Sequence, residues 1–333
     1  MKNTFLIITS IAEDNNPVLK QYAVQCAEHN VAFIVIGDTK SPDDFYLQGC
    51  DFYSGQRQRG LDFNLAKMLP FNHYARKNIG YLLAILKGAE VIIETDDDNF
   101  PCSNFWSKRS KEAIAHLLLN KEWVNIYKYF TQCHIWPRGF ALEHINDKLP
   151  DLQKKKIVFC PIQQGLADEN PDVDAIFRLI LSLPVVFDKG SNIALGRGSF
   201  CPFNSQNTTW FKEAFPLLYL PSSCSFRMTD IWRSFVAQRI GWTCGWSILF
   251  HQSSVRQERN YHDLMNDFND EIVGYINNAN IYSNLNKLHL KDGVENIADN
   301  MHTCYRKLVD LGCVSNEEIV LLDAWLNDVF SIV

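Results

Sequence analysis

A chain of 333 residues has room for one large α/β domain and a smaller appendage, and 47% hydrophobic against 21% charged residues excludes a disordered polymer. The formal net charge of −6 excludes broad, sequence-independent binding to nucleic acid, which needs excess cation to displace phosphate counterions, so an anionic ligand would need a local basic site. The ten cysteines include no C-x-x-C pair and no disulfide-framework spacing, so a reducing cytoplasm is the expected compartment and a tetrahedral zinc site is not expected.

The apolar opening at residues 4–10 is too short to span a bilayer and no small-residue cleavage pattern follows it, so residues 5–9 are predicted as a first strand. A helix over 16–30, with Pro17 in its first turn, and a strand over 33–37 complete a βαβ-like start. Ligands of open α/β sheets bind at the carboxyl ends of strands, which directs Ser10 and Asp38 toward a crevice. A polar stretch over 39–65 precedes a predicted helix over 74–87. The run Val91-Ile92-Ile93-Glu94-Thr95 then predicts a buried central strand, with Asp96-Asp97-Asp98-Asn99 at its carboxyl end. Further on, 123–130 and 157–160 are predicted as strands, Pro137-Arg138-Gly139 as a turn, and 172–183, 210–215 and 230–240 as helices, with Thr229 or Asp230 placed to cap the last. From Tyr261 the patterning is helical: Gly312 is placed to stop a helix over 294–311, and Ser315-x-x-Glu318 is a capping-box pattern. The expected organisation is a catalytic α/β domain over 1–259 and a helical C-terminal appendage over 260–333.

Three adjacent carboxylates repel one another, and the flanking sequence offers no run of Lys or Arg to neutralise them, so a bound cation is expected. All-oxygen ligands favour Mg²⁺ or Mn²⁺. In an extended segment Asp96 and Asp98 would face one side and Asp97 the other. The alternative is an acidic surface turn in which Asp98 or Asn99 caps a following helix.

The stretch from Val91 to Asn99, together with Pro221-Ser222-Ser223-Cys224-Ser225-Phe226-Arg227-Met228-Thr229-Asp230-Ile231-Trp232-Arg233, resembles the STELLO glycosyltransferase-like family. It is more distantly similar to the reversibly glycosylated polypeptides, and the resemblance covers roughly residues 1–260. It implies a GT-A type fold, a Rossmann-like mixed sheet flanked by helices. It also implies a nucleotide-sugar donor, most simply UDP-linked, and a divalent cation, Mn²⁺ or Mg²⁺, at a D-x-D motif formed by Asp96 and Asp98. His251 stands about where such enzymes place a late metal or diphosphate contact, although a structural histidine after an apolar run is the alternative. Arg256 and Arg259 would grip the diphosphate or simply line a solvated loop. Arg76, Lys77 and Asn78 occupy the segment that touches the donor in GT-A enzymes. Asp38 is placed for ribose or uracil, so that with Ser10, Asp96 and Asp97 these residues form the expected donor-binding set.

Asp230, at the start of a late helix, is the candidate general base for an inverting transfer, with helix capping as the alternative. Asp168, Asp172 and Asp174 are candidates for sugar hydroxyls, and Trp136, Trp210, Trp232, Trp242 and Trp246 are candidates for ring stacking or core. The expected activity is metal-dependent sugar transfer to a glycan or glycolipid hydroxyl, with no nucleic-acid partner. The alternatives are a nucleotide-sugar mutase and a non-catalytic scaffold for a glycan-synthesis assembly. A glycolipid acceptor would bring peripheral association with the inner membrane face, although no amphipathic basic helix is evident.

Overall fold

The computed structural model describes residues 3–188, 190–259 and 263–332. The first half runs β1 (Thr4–Thr9), α1 (Pro17–His29), β2 (Ala32–Ile36), β3 (Asp51–Tyr53), α2 (Gly55–Arg59), α3 (Asn64–Met68), α4 (Lys77–Leu86) and β4 (Val91–Thr95). The middle contains β5 (Asn99–Pro101), β6 (Glu112–Leu118), β7 (Glu122–Trp123), β8 (Lys156–Phe159), β9 (Ile162–Asp168) and α5 (Ala175–Ile180). There follow β10 (Ile193–Leu195), β11 (Ser199–Phe200), β12 (Asn207–Phe211), α6 (Thr229–Gly241) and β13 (Ile248–Gln257), and then α7 (Leu264–Lys287), α8 (Ile297–Asp310) and α9 (Glu317–Ile332).

Among the described residues, eleven strands form one mixed sheet in the order β3-β2-β1-β4-β12-β9-β13-β10-β6-β8, with β5 paired to β13 beside this path. Strands β3, β2, β1 and β4 are parallel, whereas β12 lies antiparallel between β4 and β9. Helices cover both faces, which is why β1 reads as an unbroken apolar run: Phe5, Leu6, Ile7 and Ile8 are all buried. Helix α1 is framed by two asparagines. Asn16 caps Val18 and Leu19 through its side chain, and Asn30 closes the helix in the left-handed region at φ 53°.

Three predicted elements differ. Of 123–130 only Glu122–Trp123 is strand, and Ile126–Tyr129 forms a 3-10 turn that buries Ile126, Tyr127 and Phe130. The helix predicted over 210–215 is largely strand β12, whose β-branched Thr208 and Thr209 sit between two neighbours, and only from Lys212 does the chain coil into a 3-10 segment. The helix predicted over 172–183 shortens to Ala175–Ile180, capped by Asp174.

The helices after residue 263 complete the core of the sheet. Ile281, Met301, Tyr305, Leu322 and Trp325 belong to the same buried apolar cluster as Ile7 and Ile92. Gly312, at φ 68°, stops α8, with the Cys313 amide returning to the Leu308 carbonyl. Glu318 does not close a capping box on Ser315. Its carboxylate instead accepts the Tyr219 hydroxyl and the amides of Ser222 and Ser223. Asp328 of α9 accepts the amides of Asn64 and Leu65 at 3.0 and 2.8 Å, and so caps α3, whose own N-cap residue Phe63 supplies no side-chain bond. Among the described residues no helix is long and apolar enough to cross a membrane.

One buried ion pair sets how the sheet meets α6. Glu94, in β4, and Arg233, in α6, are both sequestered from solvent, and the guanidinium donates to both carboxylate oxygens at 2.7 and 3.0 Å. Trp210 Nε1 donates to the same carboxylate at 2.7 Å and the Tyr81 hydroxyl adds a short bond.

Candidate active site

Immediately after β4 the chain makes a tight turn in which the Asn99 amide bonds the Asp96 carbonyl, and Asn99 then begins β5. The turn abolishes strand alternation, so Asp96, Asp97 and Asp98 all line one cleft of about 470 Å³ instead of facing opposite sides. No helix follows for Asp98 or Asn99 to cap. The cleft lies at the carboxyl ends of β1, β2 and β4, where Thr9, Ser10, Gly37 and Asp38 join its wall.

Each carboxylate has its own environment. Asp96 Oδ1 accepts the Tyr74 hydroxyl at 2.8 Å and Lys77 Nζ at 3.0 Å, so the neutralising cation missing from the flanking sequence arrives from the start of α4. Asp97 accepts the Ser10 hydroxyl, and its carbonyl accepts Asn16 Nδ2 at 3.2 Å. Asp98 accepts Gln257 Nε2 at 2.9 Å and Asn99 Nδ2 at 2.8 Å, while its carbonyl accepts the Glu258 amide. Burial, with the charges of Asp96 and Asp97 added, pushes Asp98 up to about 7. Asp97 is also raised, chiefly by burial and then by Asp96, although the Ser10 bond opposes this.

No three His, Cys, Asp or Glu side chains among the described residues converge on a point that would hold an ion. Asp96 and Asp98 nevertheless present all-oxygen donors, and Asp98 carries charge that its surroundings leave uncompensated. Two carboxylates completed by water and ligand phosphate are the usual protein share of a magnesium-type site.

The remaining predicted residues divide. Ser10 and Asp38 line the cleft, but the Asp38 carboxylate is committed to the amides of Thr39, Asn72 and His73 and acts there as a loop organiser. Arg76 reaches the wall, yet its guanidinium is bonded to Gln58 and the Leu69 carbonyl and lies 4.0 Å from the Phe71 ring centre, which leaves it no phosphate grip. Lys77 is buried against Asp96, Tyr74 and the Thr95 carbonyl instead of reaching a ligand phosphate. Asn78 is also buried and pairs with both backbone groups of Leu220, so it cannot contact a base or ribose.

Arg256 lies outside the cleft, ion-paired with Glu169 and Glu258, whereas Arg259 lines it while bonding Asp267 at 2.6 Å. His251 stands six residues before Gln257 in β13, beyond a register shift between His251 and Val255, and lines a different cavity, so the structure does not bring it to the acidic turn.

Asp230 sits in the first turn of α6 without capping it. Its Oδ2 accepts Arg138 Nη2 and both the amide and hydroxyl of Ser205, each at 3.1 Å. Burial alone would raise this carboxyl, but the Arg138 charge outweighs it and holds the group well below the usual carboxylate range. Asp230 and Asp96 share a small recess with Arg138, Asp172, Arg227 and Gln257 that adjoins the cleft, since Asp96, Arg227, Gln257 and Arg259 line both. Asp172 makes a two-pronged pair with Arg138 at 2.8 and 2.9 Å, and Asp168 accepts the Phe187 amide at 2.9 Å. Trp136, Trp210, Trp232, Trp242 and Trp246 are all buried core. Tyr74, Ser205, Gln257 and Arg138 escaped the sequence-based site because their partners lie 22 to 159 positions away.

Residues 227–333 match the family model described as STELLO glycosyltransferases. The chain is 27% identical over 327 residues to "Probable glycosyltransferase STELLO2" of Arabidopsis thaliana, covering 90% of this chain and 41% of that protein. It is 31% identical over 233 residues to "Probable glycosyltransferase STELLO1" of the same plant, covering 64% of this chain and 30% of that protein. The chain thus spans less than half the length of these relatives. A solved structure described as "Crystal Structure of a Mycobacterial Protein" overlaps 83% of this chain and 74% of its own at 10% identity, with a TM-score of 0.42. The likeness that the two sequence motifs suggested is borne out by the family model and by both plant proteins.

Proposed function

We propose that this chain, related by sequence to the STELLO glycosyltransferases, transfers a sugar from a nucleotide-sugar donor, UDP-linked in the simplest case, to a hydroxyl of a glycan or glycolipid. The observation that carries the proposal is the acidic turn at the end of β4, whose three carboxylates line one cleft beside a recess that holds a fourth, Asp230. A Mn²⁺ or Mg²⁺ ion held by Asp96 and Asp98 would offset the charge of a departing diphosphate.

The protein's own groups supply the rest. Tyr74 and Lys77 fix the Asp96 carboxylate, and Gln257 fixes that of Asp98, so both are oriented before a ligand arrives. Asp230 remains ionised beside Arg138 and accepts the proton of the attacking hydroxyl. With basicity this low the transfer comes late, after bond formation has acidified that oxygen. A base across the recess from the leaving group gives inversion at the anomeric carbon. Ten free cysteines fit work in a reducing compartment, so the cytoplasm remains the proposed location.

Calorimetric titration with UDP in the presence of Mn²⁺, alongside a donor-hydrolysis assay, tests the reading. Asp98→Ala is expected to lose both metal-dependent binding and hydrolysis, and unchanged values for both would remove the assignment.

A further inference from the structure

A second cavity, of about 440 Å³, shares no lining residue with the cleft or its recess. Its wall includes Asn104, Lys108, Arg109, Gln163, His251 and Ser254. Arg109 is the informative member. Its Nε donates to the Thr209 hydroxyl at 2.8 Å, Nη1 reaches the Ser107 carbonyl only at 3.5 Å, and the guanidinium carbon lies 5.1 Å from the Phe105 ring centre. Among the described residues no Asp or Glu forms an ion pair with it, and Nη2 has no hydrogen-bond partner. Glu112, which also lines the cavity, is exposed and unpaired with Arg109.

Around the cleft and its recess, Arg76 and Arg178 are bonded to neutral acceptors, whereas the remaining arginines are matched by charge. Arg138, Arg227, Arg233 and Arg259 each face at least one carboxylate. A partly buried guanidinium without a counter-ion is costly in the folded protein and becomes favourable when an anion enters, because its two-pronged fork suits phosphate oxygens. Burial pulls Arg109 down only to about 10, so it remains charged at neutral pH.

His251 fits the same purpose. Its Nδ1 faces the Gln252 carbonyl at 2.9 Å and must therefore carry the hydrogen, which leaves Nε2 as an acceptor. Burial and the nearby Arg109 charge hold the imidazole neutral, down to about 4. The wall thus combines two cations and the Glu112 carboxylate with neutral donors and an acceptor, chemistry that suits a phosphate ester carrying hydroxyls.

We propose that this cavity is a second ligand site, separate from the acidic cleft, which binds a small phosphate-bearing molecule through Arg109 and Lys108. Thermal melts of the full chain with inorganic phosphate, against sodium chloride at matched ionic strength, test it. At ten times the dissociation constant the melting temperature should rise by about 2 °C. Arg109→Gln should abolish the shift. Ser107→Glu, at an exposed position on the rim, should do the same in a folded protein by supplying Arg109 with an internal carboxylate. Arg259→Gln, in the cleft, should leave the shift intact. No shift in the unmodified chain, a shift that survives both Arg109→Gln and Ser107→Glu, or one lost only in Arg259→Gln would overturn the proposal without touching the assignment of the cleft.

Discussion

Replacing Glu94 by Gln is the sharpest probe of how the sheet holds the acidic turn. In the native protein both carboxylate oxygens act only as acceptors: Oε1 for Trp210 and Arg233, Oε2 for Tyr81 and Arg233. A glutamine amide turns one acceptor into a donor. The Tyr81 hydroxyl can rotate to accept from it, but neither Arg233 nor Trp210 can, because both are donors only. At least one charge-assisted bond is lost and Arg233 is left buried with its partner neutralised. Removing one member of a buried pair costs about 3–5 kcal/mol. At about 2.1 cal/mol/K per residue, a chain of this length has an unfolding entropy of ~0.7 kcal/mol/K, so the melting temperature should fall by about 4–7 °C. Glu94→Leu with Arg233→Met should recover only part of this loss, since the unpaired ion is removed but the buried Trp210 Nε1 and Tyr81 hydroxyl lose their acceptor. Urea denaturation and thermal melts of the two single variants and the double variant give the coupling directly. A Glu94→Gln loss below about 1 kcal/mol, or a double variant no more stable than the singles, would show that the pair does not hold β4 to α6.

The raised Asp98 carboxyl sets a pH dependence: its contribution to stability is complete below its unfolded value near 3.8 and is lost as pH rises through about 7. Asp98→Asn should therefore match the parent at pH 4 and, without divalent metal, exceed it by about 2–4 kcal/mol at pH 8, while Mn²⁺ should raise the melting temperature of the parent alone. Identical melting profiles at the two pH values would remove this electrostatic account. Asp230→Asn should keep the fold, because Arg138 retains Asp172, while lowering turnover by about 10²–10⁴ with little change in donor affinity. A variant with undiminished turnover would exclude Asp230 as the base. Asp328→Ala should cost about 1–2 kcal/mol through the lost cap on α3 and leave donor binding unchanged, and denaturant titration would show it.

Continuous and local features of the sequence translated directly into structure. The apolar runs at 5–8 and 91–93 became buried strands, Pro17 and Gly312 marked helix ends, and the acidic cluster landed at the carboxyl end of a central strand. The mixed α/β sheet flanked by helices is as the family resemblance implied, and the helical C-terminal region is as the pattern implied. What was hidden depends on groups remote in sequence. Lys77 reads as a donor contact because nothing local shows that the helix points it into Asp96. Trp210 and its neighbours resembled a helix because a buried antiparallel strand flanked on both sides need not alternate. His251 follows an apolar run that becomes part of β13, but its place on that strand opens into another cavity.

The caps supplied by Glu318 and Asp328 also bear on how this protein can be dissected. A chain cut after residue 259 would expose the undersides of α3, α4 and the 212–218 segment and strand the Tyr219 hydroxyl and the amides of Ser222 and Ser223 without acceptors. The helices from residue 263 onward therefore act as a buttress for the sheet and its cleft, and a fragment that lacks them should collapse into aggregates instead of persisting as a smaller folded domain.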